Sequence, residues 1–183
     1  MVDALDFTSK PTVLVVDDAA DNLEVISGLL KGLYKVKVAT NGERALQIAR
    51  SDSRPDLILL DIMMPEVSGY EVCTQLKSDP ATRPIPIIFL SALSSAEDER
   101  KGLELGAEDY VTKPISPAIL LARVKTHLRI KAAVDFLRDK NAWLERELVR
   151  RGESDLDFCE SVREIAKNFK AVTEHLSGSG GAS

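Results

Sequence analysis

Three short runs that are apolar at nearly every position constrain the fold most. They are "TVLVVD" at 12–17, "DLILLD" at 56–61 and "IPIIFLSA" at 85–92. All three are far too short to span a bilayer. A strand that is apolar on both faces is typical of a parallel sheet covered by helices on both sides. These runs therefore favour an α/β fold over an all-α or all-β one.

Amphipathic stretches alternate with these runs up to about residue 131. Alternating residues predict a strand at 34–39, and a short strand broken by Pro114 is expected at 108–114. Helical spacing of apolar residues predicts the helices. The predicted helices lie at 22–32, 42–51, 69–79, 96–106 and 117–130, the last with Pro117 in its first turn. The pattern amounts to five βα units and predicts a five-stranded parallel sheet.

Composition excludes several classes of protein. A net charge of −5 and a pI near 5.2 argue against a nucleic-acid partner, which needs a basic face. Cys73 and Cys159 lie far apart without a CxxC or Cys/His cluster, so neither a zinc site nor a disulfide framework is expected. The start, "MVDALDFTSKP", does not resemble a signal peptide. We expect a soluble, cytoplasmic protein with no membrane partner.

Polar residues follow the apolar runs where the strands of the predicted sheet end. In parallel α/β sheets, ligands bind outside the carboxyl ends of the strands. The residues found there are Asp17 and Asp18, Asp61, Ser91, and Thr112 with Lys113. We therefore expect a functional site at this edge.

Three aspartates at neighbouring strand ends would repel one another and raise each other's pKa. A hard divalent cation such as Mg²⁺ relieves this repulsion, since it prefers oxygen ligands. An aspartate beside such a cation can attack a phosphoryl group and become an aspartyl phosphate. That transfer also requires positive charge and a hydroxyl donor, for which Lys113 and Ser91 are the candidates.

Four motifs together resemble the receiver domain of two-component response regulators. They are "VLVVDDAADNLEVISGLL", "DLILLDIMMPEVSGYEVC", "PIIFLSA" and "GAEDYVTKP", and their order and spacing are specific as a set. The resemblance covers about residues 10 to 130. It implies a flavodoxin-like, doubly wound (βα)5 fold, with a receiver domain assigned to residues 1–131.

The resemblance implies that Asp61 accepts a phosphoryl group from a histidine kinase or a histidine phosphotransfer protein. It implies an Mg²⁺ site in which Asp18 and Asp61 bind directly and Asp17 acts through water. The backbone carbonyl of Met63 would complete the protein ligands.

The resemblance also assigns the residues that respond to the phosphoryl group. Lys113 would pair with its oxygens, and Ser91 would hydrogen-bond it after transfer. Tyr110 would be the aromatic switch residue that rotates inward as Ser91 moves. The Lys113–Pro114 peptide bond is expected to be cis.

Other interpretations of these residues remain open. Asp17 and Asp18 could serve only as helix caps, and Asp21 or Asn22 could also cap that helix. A dehalogenase-type phosphatase would need a second acid two residues after Asp61, where Met63 stands, so we expect no enzyme of this class. The chain could also be a scaffold receiver that is never phosphorylated.

Residues 132–176 predict a helical coiled-coil segment. With Val134 at position a, eleven of the fourteen a and d positions from 130 to 176 are apolar. The exceptions are Asn141, Arg151 and Asp155. The predicted dimer seam consists of Ile130, Val134, Leu137, Asn141, Leu144 and Leu148. We expect a parallel homodimer, because an asparagine at a commonly fixes a two-stranded register.

The helix either continues past Gly152, folds back there as a hairpin or four-helix bundle, or packs on its own receiver. Residues 177–183, "SGSGGAS", predict a flexible tail.

The segment from 114 to 151 resembles the linker of regulators whose output is an HD-GYP cyclic-di-GMP phosphodiesterase. The sequence contains no HD…GYP, GGDEF or EAL motif. Two interpretations follow, namely the regulatory part of a longer phosphodiesterase or cyclase regulator, or a receiver acting on a separate protein.

Overall fold

The computed structural model describes residues 10–92, 95–151 and 163–167. Strands and helices alternate along it as the sequence predicted. In chain order they are β1 (Thr12–Val16), α1 (Ala20–Leu30), β2 (Lys35–Ala39), α2 (Gly42–Ala49), β3 (Leu57–Asp61), α3 (Gly69–Ser78), β4 (Ile87–Ser91), α4 (Ala96–Glu104), β5 (Asp109–Thr112) and α5 (Pro117–Arg151).

The strands form one parallel sheet in the order β2-β1-β3-β4-β5. The chain moves one way from β1 to β2 and then crosses back to place β3 on the other side of β1. The carboxyl ends of β1 and β3 therefore form the switch point at which such sheets bind ligands. The predicted five-stranded doubly wound fold is confirmed.

Both faces of the sheet are buried, as the continuous apolar runs require. All five residues of β3 are buried, and its four apolar residues alternate between two apolar clusters. Leu57 and Leu59 pack with residues of α1 and α5, whereas Ile58 and Leu60 pack with residues of α2 and α3. This alternation explains why the central strands tolerate no polar residue before their carboxyl ends.

Element boundaries differ from the sequence prediction by a few residues. Strand β4 begins at Ile87 because Pro86, which has no N–H, precedes it. Helix α1 begins at Ala20, with Ala19 at the cap position and no side-chain cap. Asp21 and Asn22 lie inside the helix, so the interpretation of either as its cap was wrong.

Helix α5 runs without interruption from Pro117 to Arg151. The chain divides into two compact units, residues 1–131 and 132–183, and α5 contributes to both. Among the predicted seam residues, Ile130 is 55% exposed and Leu144 is 43% exposed. The others, Val134, Leu137, Asn141 and Leu148, are half-buried.

The region around Gly152, where the helix was expected either to continue or to break, lies outside the described residues, as does the predicted tail at 177–183. Within the part of the chain that the structure describes, no helix has the length and apolarity that a membrane span requires.

Candidate functional site

The register of the sheet brings the predicted site residues to one edge. Val16 pairs with Leu60, so Asp17 follows β1 at the level of Asp61. Each of these carboxylates ends its strand, beyond the apolar residues that fix the strand in the sheet. The sequence therefore determines their position through strand length alone, since one residue more or less would turn either side chain to the other face.

Strands β4 and β5 supply the other half of the edge. Ser91 pairs with Thr112, and the backbone N–H of Lys113 donates to the Ser91 carbonyl at 2.7 Å. Lys113 therefore leaves the sheet beside β4, and the Lys113–Pro114 peptide bond is cis. Its ammonium group reaches back across the strand ends to the carboxylates.

The acids form one cluster. Asp17, Asp18 and Asp61 each contribute a carboxylate oxygen, and these oxygens lie within 4.8 Å of one another. The side chains of Asp17 and Asp61 are 0% and 5% exposed, whereas Asp18 is exposed. One side of the cluster is therefore sealed by protein and the other is open to solvent.

Lys113 is the cation that the described residues place in this cluster. Its Nζ lies 2.9 Å from Asp17 Oδ2 and 2.9 Å from Asp61 Oδ1. Burial lowers the pKa of Lys113, but its hydrogen bonds and ion pairs with the two aspartates outweigh burial and raise the pKa above its usual value. Three carboxylates against one ammonium leave two negative charges, which suits a divalent cation with oxygen ligands.

The pKa of Asp61 is raised, whereas a simple ion pair with a lysine would lower it. Burial is the largest influence and raises the pKa of Asp61. Lys113 opposes this rise, while the charges of Asp17 and Asp18 add to it, and the pKa remains above its ordinary value. The folded chain without a metal ion thus disfavours the negative charge on Asp61.

Asn22 belongs to the site, and sequence reasoning considered it only as a helix cap. Its Nδ2 lies 2.9 Å from Asp17 Oδ1 and 3.0 Å from Asp17 Oδ2. The backbone N–H of Ala19 also donates to Asp17 Oδ1, at 3.0 Å. The five-residue spacing from Asp17 to Asn22 was the available signal, but it acquires meaning only once α1 is known to start at Ala20.

Ser91 and Tyr110 lie together, and the Tyr110 ring packs against α4. Ser91 is fully buried and Tyr110 is 5% exposed. Burial raises the pKa of the Tyr110 phenol, and a side-chain hydrogen bond with Ser91 lowers it. The Tyr110 ring packs edge-on to Phe89 at 6.3 Å between centroids. Gly102 of α4 lies against both rings, where an added Cβ would approach the Phe89 ring to 3.0 Å.

The loop after β3 approaches the site closely. Met63, whose carbonyl was predicted as a metal ligand, has a side chain that is 62% exposed. Gly69 closes the loop by donating its N–H to the Ile62 carbonyl at 3.0 Å. A Cβ at Gly69 would collide with the Asp61 carbonyl and approach Ile62 Cα to 2.8 Å, so only glycine fits here.

The raised pKa of Asp61 predicts that Asp61→Asn stabilises the metal-free chain at pH 7. Below the ordinary carboxyl pKa of about 4, Asp61 is protonated in both states and the substitution gains nothing. As pH rises through the folded pKa, the wild-type chain loses stability because the folded state must release a proton it prefers to keep. The gain should therefore be present at pH 7 and small at pH 4, measured by urea unfolding in EDTA.

A matched control is Asp52→Asn, at an exposed surface position, for which we expect a change within about 0.5 kcal/mol at either pH. A loss of stability in Asp61→Asn at pH 7 would show that Lys113 outweighs burial.

Known proteins are similar to this chain both in sequence and in fold. A family model described as "Response regulator receiver domain" matches residues 13–125. The chain is 49% identical over 148 residues to a "Probable cyclic di-GMP phosphodiesterase" of Vibrio cholerae serotype O1, which aligns 80% of this chain with 33% of that protein. It is 44% identical over 131 residues to "Response regulator PleD" of Caulobacter vibrioides, aligning 71% of this chain with 29% of that protein.

A solved structure of the BeF3-activated receiver domain of DrrB superposes with a TM-score of 0.58 at 41% identity. That match covers 66% of this chain and 98% of the DrrB domain. The chain spans about a third of the length of the two curated relatives. The family model covers more than half of the 183 residues, and the chain belongs to the response regulator receiver domain family.

Proposed function

We propose that the chain is a phosphorylation-dependent signalling switch in which Asp61 accepts a phosphoryl group from a histidine kinase or a histidine phosphotransfer protein. The observation that carries this proposal is the buried Asp61 carboxylate, hydrogen-bonded to Lys113 and grouped with Asp17 and Asp18. Receiver domains accept phosphoryl groups from histidine kinases, which supports the assignment of donor.

In the proposed reaction, an Asp61 carboxylate oxygen forms a bond to phosphorus. The phosphorus–nitrogen bond of the donor phosphohistidine breaks, and the imidazole nitrogen keeps the electron pair. The Lys113 ammonium group, which lies 2.9 Å from Asp61 Oδ1 in the structure, then pairs with a phosphoryl oxygen and offsets its negative charge. Ser91 donates its hydroxyl to another phosphoryl oxygen after transfer.

Asp17, Asp18, Asp61 and the Met63 carbonyl are the proposed Mg²⁺ ligands, with Asp17 acting through water. Receiver domains bind Mg²⁺ at an acidic pocket, and the excess of two negative charges in this cluster fits such an ion. When bound, the ion supplies positive charge to the transferring phosphoryl group. The exposed side of the cluster, at Asp18, leaves a path for the donor.

Asp109 offers a route from the switch residue Tyr110 to α5. Its Oδ1 accepts the backbone N–H of Tyr110 at 2.8 Å. Arg123 of α5 donates to both Asp109 oxygens, at 2.6 and 2.7 Å, and His127 Nε2 lies 3.0 Å from Oδ2. We propose that a change in Ser91 and Tyr110 reaches α5 through this carboxylate, which requires α5 to have two positions.

BeF₃⁻ with Mg²⁺ tests the acceptor, because the adduct mimics an aspartyl phosphate. We expect wild-type binding by ¹⁹F NMR and isothermal titration calorimetry, and no binding in Asp61→Ala. Lys113→Ala should weaken binding roughly 10- to 100-fold, since one charged hydrogen bond contributes about 1.5–3 kcal/mol. Lys125→Ala, at an exposed position in α5, is the control and should bind as wild type does. Binding that survives in Asp61→Ala would exclude the proposed acceptor.

We also propose that the chain forms a homodimer through the seam defined above. The exposed Ile130 and Leu144 support this, since a partner helix would bury them. A second apolar strip lies outside the seam, at position c of the same register. Phe136 and Trp143 are each 54% exposed there, and Lys140 Nζ lies 5.6 Å and 5.9 Å from their ring centroids.

Two adjacent residues distinguish these surfaces. Leu144→Lys places a charge in the seam and should weaken a dimer about 100-fold, as expected for burying an unpaired charge. Trp143→Lys changes its neighbour outside the seam and should leave the dimer intact. Light scattering with and without BeF₃⁻ measures both variants. Dissociation by Trp143→Lys alone would move the interface to the c-position strip.

A second candidate function is the control of cyclic-di-GMP hydrolysis. The alignment with the Vibrio cholerae relative extends over 148 residues, beyond the receiver match that ends at residue 125, and so includes part of the helical segment. This supports a role for the chain as the regulatory part of such an enzyme.

A chimaera in which this chain replaces the matching part of that relative tests the candidate. We expect acetyl phosphate to change cyclic-di-GMP hydrolysis severalfold, and we expect no response when the chimaera carries Asp61→Ala. Equal hydrolysis by both chimaeras under all conditions would count against this output.

A further inference from the structure

Asp17 is held more tightly than its proposed role as an indirect metal ligand requires. It is fully buried and makes four hydrogen-bond contacts, one with Ala19, two with Asn22 and one with Lys113. The contact with Ala19 follows from the path of the backbone, and the contact with Lys113 is the ion pair described above. Neither of these accounts for the two hydrogen bonds from Asn22.

We propose that Asn22 is a positioning residue that fixes the Asp17 carboxylate and thereby sets the affinity of the site for a divalent cation. This inference rests on the proposed function, and it assigns a residue that the phosphoryl-transfer scheme does not use. The amide Nδ2 bridges the two Asp17 oxygens at 2.9 and 3.0 Å. A bridge of this kind opposes rotation of the carboxylate about its Cβ–Cγ bond.

Lone-pair occupancy explains what the bridge does. An ionised carboxylate has about four lone-pair sites. Ala19 and Asn22 occupy those of Asp17 Oδ1, and Asn22 and Lys113 occupy those of Oδ2. A cation can bind Asp17 directly only by displacing one of these donors. Direct coordination therefore falls to Asp18 and Asp61, and a metal-bound water reaches Asp17 only by sharing an oxygen with one of these donors.

The charge of the donor matters as much as its position. An amide donates a hydrogen bond without adding charge, so the cluster keeps the two excess negative charges that attract a divalent cation. A lysine or arginine at position 22 would neutralise part of that charge, and an acid would repel Asp17. Asn22 extends from α1, which packs on the sheet through Leu23 and Ile26, and so provides a fixed support.

Calorimetric titration with Mg²⁺ alone, without a phosphoryl donor, tests this inference on the full chain. Asn22→Ala should raise the Mg²⁺ dissociation constant roughly 10- to 100-fold, the usual effect of removing a group that orients a metal ligand. Asn22→Gln keeps the amide but displaces it by one methylene, and it should fall between Asn22→Ala and wild type. If Asn22→Ala does not fold, the Mg²⁺ dissociation constant of Asn22→Gln provides the test instead.

Asn41→Ala is the matched control. Asn41 caps α2 by accepting the Arg44 N–H at 2.8 Å, so its loss should lower the urea midpoint while leaving the Mg²⁺ dissociation constant within about twofold. An unchanged dissociation constant in Asn22→Ala, or an equal rise in Asn41→Ala, would overturn the inference. Failure of the wild-type chain to bind Mg²⁺ and BeF₃⁻ would instead overturn the proposed function.

Discussion

The burial of two carboxylates at the end of an apolar sheet is the constraint on which the rest of the structure depends. Asp17 follows β1 and Asp61 ends β3, and the other residues of both strands except Thr12 are buried, so neither carboxylate reaches bulk water freely. A buried charge is costly unless it is paired and hydrogen-bonded. Lys113 and Asn22 supply that compensation, and Lys113 joins positions 96 residues apart in the chain.

This compensation is incomplete, because the cluster contains more acidic than basic side chains. One ammonium faces three carboxylates, and burial raises the pKa of Asp61 despite the opposing effect of Lys113. Such a site favours ligands that bring positive charge, in keeping with the proposed Mg²⁺ site. A fully neutralised cluster would be more stable and less reactive, which is the usual relation between stability and activity at a functional site.

The part of α5 from residue 132 to residue 151 is stabilised by a different kind of interaction. Its stability rests on periodic apolar residues that a single helix leaves partly exposed, so its structure alone does not identify a partner. The heptad pattern correctly predicted a long helix. It did not single out Phe136 and Trp143, because a search for a and d positions disregards residues at c, and these two side chains are exposed as a second strip.

The sequence by itself determined the fold class, the succession of strands and helices along the chain, and the edge of the sheet at which the acids lie. It could do so because apolar runs and strand ends are local features, and parallel strands align their carboxyl ends. It also indicated Asp17, Asp18, Asp61, Ser91 and Lys113 as members of one site, through their positions at strand ends and the motifs around them.

Only the tertiary structure decided which atoms meet within that edge. The start of α1 at Ala20 places Asn22 inside the helix, facing Asp17, and a one-residue shift would have removed that contact. The balance of charges around Asp61 likewise depends on burial and on distances of about 3 Å, to which electrostatic energies are steeply sensitive. A sequence names the groups that can interact, whereas packing fixes their separation and their access to water.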